Sequence, residues 1–518
     1  MNELIAALAD PACYRHAVDR VEVRETHISW VLLAGEYAYK VKKPVRLAFL
    51  DFSTLDARRR YCEEELRLNR RTAPELYLAV VPIVATPEGL RLEAPGEPVE
   101  YAVKMRRFPD GALADAMARR GALGPAEVDA IVRAVAALHA AAARAAPDSP
   151  HGSPEAIARQ ALDNFAQIDP LAPREQPRLA RLAAWTREQA ARLAPVFAAR
   201  RAGGFVRECH GDLHLGNIAF IEDRALPFDC IEFDPALRWM DVMNEMAFLF
   251  MDLVAHGLEP LAWRALNGWL EESGDYEGMA LVRFYAVYRA MVRAKVAVLS
   301  GREAQLAEYL AAAERLARSS RAALVLMHGL PGSGKTTVAG ALAERVGAVR
   351  LRSDVERKRL AGIAPLDRAA AAPGEGIYQA AATRRTYARL AGLAGAILDA
   401  GWPVIVDAAF PLREQREALR REALVRGVPC LIAVCEAPPS VLRERVRVRQ
   451  EAARDASDAD AAILEHQLAV RQPLAPEEQA IAERVDTADE AARERALERI
   501  AARLAARPDA FGGAAASG

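Results

Sequence analysis

The chain has 518 residues, 52% of them hydrophobic and 27% charged, with a formal net charge of -1. That length exceeds what one growing core supports and predicts roughly two to four domains, while the neutrality gives no global reason to expect nucleic acid as a partner. Six cysteines without a C-x-x-C pair, a start without a basic and apolar leader, and no apolar stretch near the roughly 20 residues of a membrane helix predict a cytoplasmic protein without disulfides or membrane spans.

In chain order, the first elements read as strands: 21–23, 28–33, a turn at 34–36, then 37–42, all rich in alternating apolar residues. A helix is expected from Asp56 to about Arg71, ending before Pro74, with strands resuming at 80–84 and 100–105. From about Pro125 the apolar residues Val128, Ile131, Val132, Val135 and Leu138 recur at helical spacing, and 146–154 reads as a loop. Helices continue to about Ser320. Beyond it, 322–328 is a continuous apolar strand, and 404–407 and 430–434 are further buried strands of the kind a parallel sheet requires. The expected division is a domain over 1–318, a second over 319–507 and a disordered Gly/Ala/Ser-rich tail over 508–518.

Between the helices of the first part stands His210-Gly211-Asp212-Leu213-His214-Leu215-Gly216-Asn217, followed by Phe228-Asp229. Phosphoryl transfer needs a positioned acceptor, neutralised phosphate charge and bound metal more than covalent chemistry. Asp212 suits the group that takes or orients the acceptor hydroxyl's proton, and Asn217 and Asp229 suit Mg²⁺ ligands. His210 and His214 are four apart but have no third ligand nearby, so they read as loop residues rather than a zinc site.

Of 69 basic residues only 7 are lysines, and three of these fall at Lys40, Lys42 and Lys43. Together with Thr26-His27-Ile28-Ser29, Tyr39-Lys40-Val41-Lys42-Lys43-Pro44, Glu65 with Leu68-Asn69-Arg70-Arg71, the loop at 210–217, 228–234, 238–242 and Tyr288-Arg289-Ala290, they make residues 1 to about 318 resemble the aminoglycoside phosphotransferase family. The likeness is strongest to its bacterial branch fused to a P-loop kinase. It implies a two-lobed, protein-kinase-like α+β fold in which Lys40 contacts the α- and β-phosphates of ATP and pairs with Glu65. Lys42 lies on the same strand face, and Glu63 and Glu64 adjoin Glu65, so these remain alternatives. No G-x-G-x-x-G precedes the strand, a departure from protein kinases; residues 26–29 would have to cover the phosphates.

The second part opens on Gly329-Leu330-Pro331-Gly332-Ser333-Gly334-Lys335-Thr336-Thr337. The pattern G-x-x-x-x-G-K-S/T arises by accident in roughly one such chain in a thousand, and here it lies between an apolar strand and a helix start, as a P-loop requires. Backbone N–H groups cradle phosphate, Lys335 reaches the β- and γ-phosphates, and the Thr336 hydroxyl ligates Mg²⁺. The domain, a P-loop NTPase fold with a parallel sheet, resembles small kinases of the gluconate, chloramphenicol or polynucleotide kinase kind. That likeness implies Asp354 as the acceptor's base, Arg357 as a substrate anchor, Asp407 as a metal or acceptor contact, and Arg445 and Arg449, four apart on one lid-helix face, as phosphate-neutralising groups. Arg416 has a weaker claim to the same task.

The expectation is thus an α/β multidomain enzyme, a bifunctional ATP- and Mg²⁺-dependent phosphotransferase acting on hydroxyl-bearing small molecules. The alternatives are a P-loop domain acting as a nucleotide switch for the first kinase, and a polynucleotide or toxin-like kinase, which the lack of aromatic-basic clusters disfavours. Aminoglycosides themselves are polycations and would need an acidic pocket, for which Glu232, Asp234, Asp241 and Glu245 are available.

Overall fold

The computed structural model describes residues 3–47, 50–318, 321–365, 367, 375–452 and 461–505; the tail 508–518 lies outside the described residues. The chain divides into two compact units, one formed by residues up to His256 with Phe284–Leu310, the other by Gly257–Arg283 with the chain from Ala311 onward. The sequence pattern predicts one boundary near 318. In the structure the helix Glu259–Ser273 packs inside the second unit: the Asn267 amide donates to Ala348 O at 2.9 Å and accepts from Arg350 N at 2.7 Å. Arg350 also donates to Glu271 through Nε at 2.8 Å. Helical periodicity marks the apolar face of such a helix but not which core that face enters.

The first unit has two lobes. A six-stranded antiparallel sheet runs in the order Val21–Glu25, Ser29–Ala34, Tyr37–Lys42, Pro98–Arg106, Tyr77–Thr86, Gly89–Leu92. Trp30, Leu32, Tyr39, Val41, Val81 and Ile83 share one buried cluster, as alternation along half-buried strands requires. The helix Leu55–Asn69, capped by the Thr54 hydroxyl accepting from Ala57 N, contributes Cys62 and Leu66 to a second cluster with Tyr77 and Val103. The other lobe is helical. Its helix Val242–Ala255 has thirteen of its fourteen residues buried, so any polar residue on it needs an internal partner.

The second unit is built on a five-stranded parallel sheet, ordered Val349–Arg352, Val404–Asp407, Leu324–His328, Cys430–Glu436, Ala482–Asp486. Its first strand is therefore central, and the loop leaving that strand opens where the strand order reverses, the usual ligand position in open α/β sheets. Val325, Met327, Ile405, Leu431 and Val485 from the strands pack with Val338 and Leu342 of the helix Lys335–Val346 and with Leu497 and Ile500 of the helix Glu490–Ala505. Among the described residues, no helix is long and apolar enough to cross a membrane.

Candidate active sites

In the first unit the strand Tyr37–Lys42 sends Lys40 and Lys42 to the same face, and Glu65 receives both. Lys40 Nζ lies 2.8 Å from Glu65 Oε1 and 2.5 Å from Asp229 Oδ1. Lys42 Nζ lies 2.7 Å from Glu65 Oε2 and also donates to Glu232. The two lysines differ in access: the Lys42 side chain is 0% exposed, that of Lys40 12%. Glu63 turns to Arg59 and Glu64 to Arg67 and Arg238, so Glu65 alone of the three carboxylates meets the lysines. Burial works to raise the Glu65 carboxyl, but Lys40 and Lys42 outweigh it and hold it down at about 2.

Asp229 sits in the left-handed region, with φ of 63°, a conformation that costs energy in a non-glycine residue and needs support. The support comes from its neighbours. Asp229 N–H donates to the Tyr77 hydroxyl at 3.1 Å, and Cys230 N–H donates to Asn69 Oδ1 at 2.9 Å. Asn69 ends the helix that carries Glu65, so one helix places both the lysine's partner and the Asp229 turn.

The loop at 210–217 is bonded to that turn. The His210 ring meets Phe228 O at 2.8 Å, and Phe228 N–H donates to Asn217 O at 2.9 Å. Asn217 Nδ2 donates to Asp212 O at 3.0 Å and to Asp212 Oδ2 at 3.1 Å, which leaves the amide oxygen for another partner. His214 Nε2 lies 3.4 Å from Asp212 Oδ2 and 3.0 Å from Arg293 Nη1. Burial would raise the Asp212 carboxyl, but His214, Arg293 and His210 hold it well below the usual carboxylate range.

Two buried acids of the helix Val242–Ala255 brace this loop: Glu245 Oε1 accepts from Gly211 N at 2.7 Å, and Asp252 Oδ2 accepts from Leu215 N at 2.9 Å. The sequence reading missed both bracing roles, although acids inside an otherwise apolar helix were the available signal. The four carboxylates available for a polycation pocket are committed elsewhere. Glu232 holds Lys42, Asp234 caps Ala236 N, Asp241 forks with Arg200 at 2.6 and 2.8 Å, and Glu245 holds Gly211 N and His139. The buried His139, Cys209 and Glu245 lie close enough to share an ion, but hydrogen bonds already engage Glu245 on both oxygens.

In the second unit the loop 329–334 is shaped by glycines. Gly332 has φ of 79°, and a Cβ there would fall 2.5 Å from Leu442 O; at Gly329, with φ of 154°, it would fall 2.5 Å from Cys435 O. Only glycine fits either place. The loop and the start of the helix Lys335–Val346 wall a cavity of about 320 Å³, with Gly332, Gly334, Lys335, Thr336, Thr337 and Arg445 in its lining. Ser333 Oγ is buried with no hydrogen-bond partner among the described residues, and Lys335 Nζ donates to Leu330 O at 2.9 Å.

A second cavity of about 470 Å³ also touches Lys335 and Thr336, and Asp354, Arg357 and Asp407 line it. Asp354 stands in the first turn of the helix Ser353–Leu360. Asp407 ends the strand Val404–Asp407; burial pushes its carboxyl up, against Arg352, Lys335 and a hydrogen bond from Thr336.

Arg445 is bound rather than free. Nη1 donates to Thr487 Oγ1 at 2.9 Å and Gly332 O at 3.3 Å, and Nη2 to Thr487 O at 2.7 Å. The side chain of Arg449 lies outside the described residues. Arg416 is 0% exposed and forks onto Glu478 at 2.8 and 2.9 Å, a structural pair. Thr487, Tyr378 and Gln467, which no motif announced, also line these cavities.

A family model described as an AAA domain matches residues 324–474. An uncharacterized protein of Mycobacterium tuberculosis is 31% identical over 466 residues, covering 88% of this chain and 92% of its own, and one of Mycobacterium bovis matches to the same extent. Among solved structures, a sugar kinase from Janibacter sp. matches at 22% identity over 37% of this chain and 98% of its own, with a TM-score of 0.26. A choline/ethanolamine kinase family protein from Mesorhizobium loti matches at 13% identity over 57% of this chain and 87% of its own, with a TM-score of 0.34.

Proposed function

The chain belongs to the bacterial family that joins an aminoglycoside-phosphotransferase-like domain to a C-terminal P-loop kinase domain, and from that premise we propose that both units are ATP-dependent phosphotransferases acting on hydroxyls of small molecules. The observation that most supports this reading is the pair of cavities meeting at Lys335 and Thr336. A nucleotide switch needs one cavity beside its glycine loop. An enzyme needs a second, on the far side of the γ-phosphate, for the acceptor.

In the first unit Lys40, fixed by Glu65, binds the phosphates, and Asp212 orients the acceptor hydroxyl and takes its proton. In the second, loop N–H groups and Lys335 bind the phosphates and Asp354 takes the proton. The Asn217 amide oxygen, the Asp229 carboxylate, the Thr336 hydroxyl and the Asp407 carboxylate are all hard oxygen donors and fit Mg²⁺, Asn217 and Asp229 in one site and Thr336 and Asp407 in the other. Bound there, Mg²⁺ supplies neutralisation of phosphate charge.

Transfer of labelled γ-phosphate from Mg·ATP into a metabolite extract, compared for wild type, Asp212→Ala and Lys335→Ala, tests the reading. Each variant is expected to lose a different labelled product. If the wild type releases only free phosphate, the reading falls and the second unit is a switch.

A further inference from the structure

We propose that Arg293 is a further catalytic residue of the first unit, a cation that turns from His214 to bind the phosphoryl group as it passes from ATP to the acceptor. The inference rests on the phosphotransferase reading of that unit.

Arg293 and Tyr309 lie in the stretch 284–310 that belongs to the first unit, on the helices Met279–Leu299 and Glu303–Ala317. One turn before Arg293, Arg289 is 4% exposed and serves as a structural brace. Its Nε donates to Asn244 Oδ1 at 2.7 Å and its Nη1 to Gly211 O at 3.4 Å, and its guanidinium lies 4.9 Å from the Phe248 ring centroid. Arg293 is also placed by its neighbours but is engaged far less.

The placement starts at Asp252. One of its oxygens accepts from Leu215 N in the loop 210–217, and the other accepts from the Tyr309 hydroxyl at 3.1 Å. The Tyr309 oxygen is left to accept from Arg293 Nε, at 3.4 Å, and the Tyr309 ring centroid lies 5.6 Å from the guanidinium. The acid that braces the loop thus also brings a cation up to it. Burial disfavours the charge on Arg293, but Tyr309, Asp212 and Asp252 outweigh it and raise its pKa.

The remaining neighbour is His214, whose Nε2 lies 3.0 Å from Arg293 Nη1. A neutral imidazole has one accepting nitrogen, and a protonated one has none. His214 Nδ1 accepts from Gly216 N at 3.0 Å, so the ring proton sits on Nε2, beside Asp212 Oδ2 at 3.4 Å. Arg293 Nη1 therefore faces an N–H rather than an acceptor. Its charge is balanced at a distance by two acids, but among the described residues its one acceptor is Tyr309, over a long bond. A guanidinium fork beside the base, short of acceptors, suits an oxyanion that arrives with the substrates.

The transferring phosphoryl group is such an oxyanion, its charge spread over three equatorial oxygens. Lys40 is held by Glu65 and Asp229, and the Lys42 side chain is 0% exposed. In the transfer, the acceptor oxygen forms the new bond to the γ-phosphorus and its proton passes to Asp212. The bond from that phosphorus to the β,γ-bridging oxygen breaks, and its electron pair leaves on ADP. Arg293 donates to the equatorial oxygens while the group lies between the two, an interaction stronger in the transition state than in the ground state.

The test uses the full chain and follows the labelled product that Asp212→Ala loses, with its acceptor isolated. Arg293→Gln is expected to lower kcat by about 10²- to 10³-fold, the worth of one donor to a developing oxyanion. The KM for ATP, the KM for the acceptor and the urea midpoint of the first unit are expected to stay unchanged. Arg293→Lys, which keeps the charge and loses the fork, is expected to fall between Arg293→Gln and wild type. An unchanged kcat in Arg293→Gln overturns the proposal, as does a loss accompanied by a higher ATP KM or a lower urea midpoint. If no labelled product depends on Asp212, the phosphotransferase reading of the first unit falls, and the role of Arg293 with it.

Discussion

In the first unit five charged side chains, Lys40, Lys42, Glu65, Asp229 and Glu232, hold one another in place. In the second, the loop 329–334 takes its shape from backbone that only glycine adopts. One candidate phosphate site is therefore made of charges on separate elements, the other of a continuous stretch of main chain. A network of charges fails one partner at a time, in the chemistry or in the fold according to which partner is lost. A backbone cradle fails when a single methyl group is added.

The largest effect expected on that contrast comes from Asp212→Ala, which should lower the first unit's turnover by about 10²- to 10⁴-fold, the usual worth of an acid–base group, while the second unit's labelled product persists. Lys42→Met should strike the fold rather than the chemistry. It leaves Glu232 buried without its cation, a loss of about 3–5 kcal/mol, visible in urea unfolding of the first unit; an unchanged midpoint would show that the network is not structural.

Gly332→Ala is the matching test of the backbone cradle. A Cβ 2.5 Å from Leu442 O should cost about 1–3 kcal/mol, read as weaker ATP binding by the second unit alone.

The last effect is in pH. Burial, with Arg416 and Lys335 nearby, pushes His328 down to about 4 from 6.5. The unfolded chain then takes up this proton before the folded one, so the second unit loses stability as pH falls from 6.5 toward 4. His328→Gln should flatten that slope. Glu65, depressed from 4.5 to about 2, contributes stability that is present above pH 4.5 and lost only as pH falls from there toward 2.

The legibility of the two sites follows the same contrast. The glycine loop is contiguous, so spacing alone nominates its residues as candidates, as it does Asp212, Asn217 and Asp229. Lys40 and Lys42 could not be separated, because a strand's period of two puts both on one face; what separates them is Asp229, 189 positions along the chain. Glu65 stood out from Glu63 and Glu64 only once the helix's phase against the sheet was known. The bracing role of Glu245 and the cavity positions of Tyr378 and Gln467 carry no motif, since each depends on what packs opposite. Arg445 reads from the sequence as a lid-helix cation, but its ties to Gly332 O and Thr487 do not show there.

The segment 257–283 has a practical consequence for gene dissection. The chain enters the second unit, returns to the first over 284–310 and enters the second again, so no single stop codon separates the two. An allele beginning at 319 would encode a P-loop fragment lacking Asn267, the partner of Ala348 and Arg350, and Glu271, the partner of Arg350. An allele ending at 318 would carry that helix with no sheet to receive it. Two such alleles expressed together would have to exchange the helix in trans before either regained a complete unit. Point mutations that silence one site are therefore the cleaner genetic instrument than truncation.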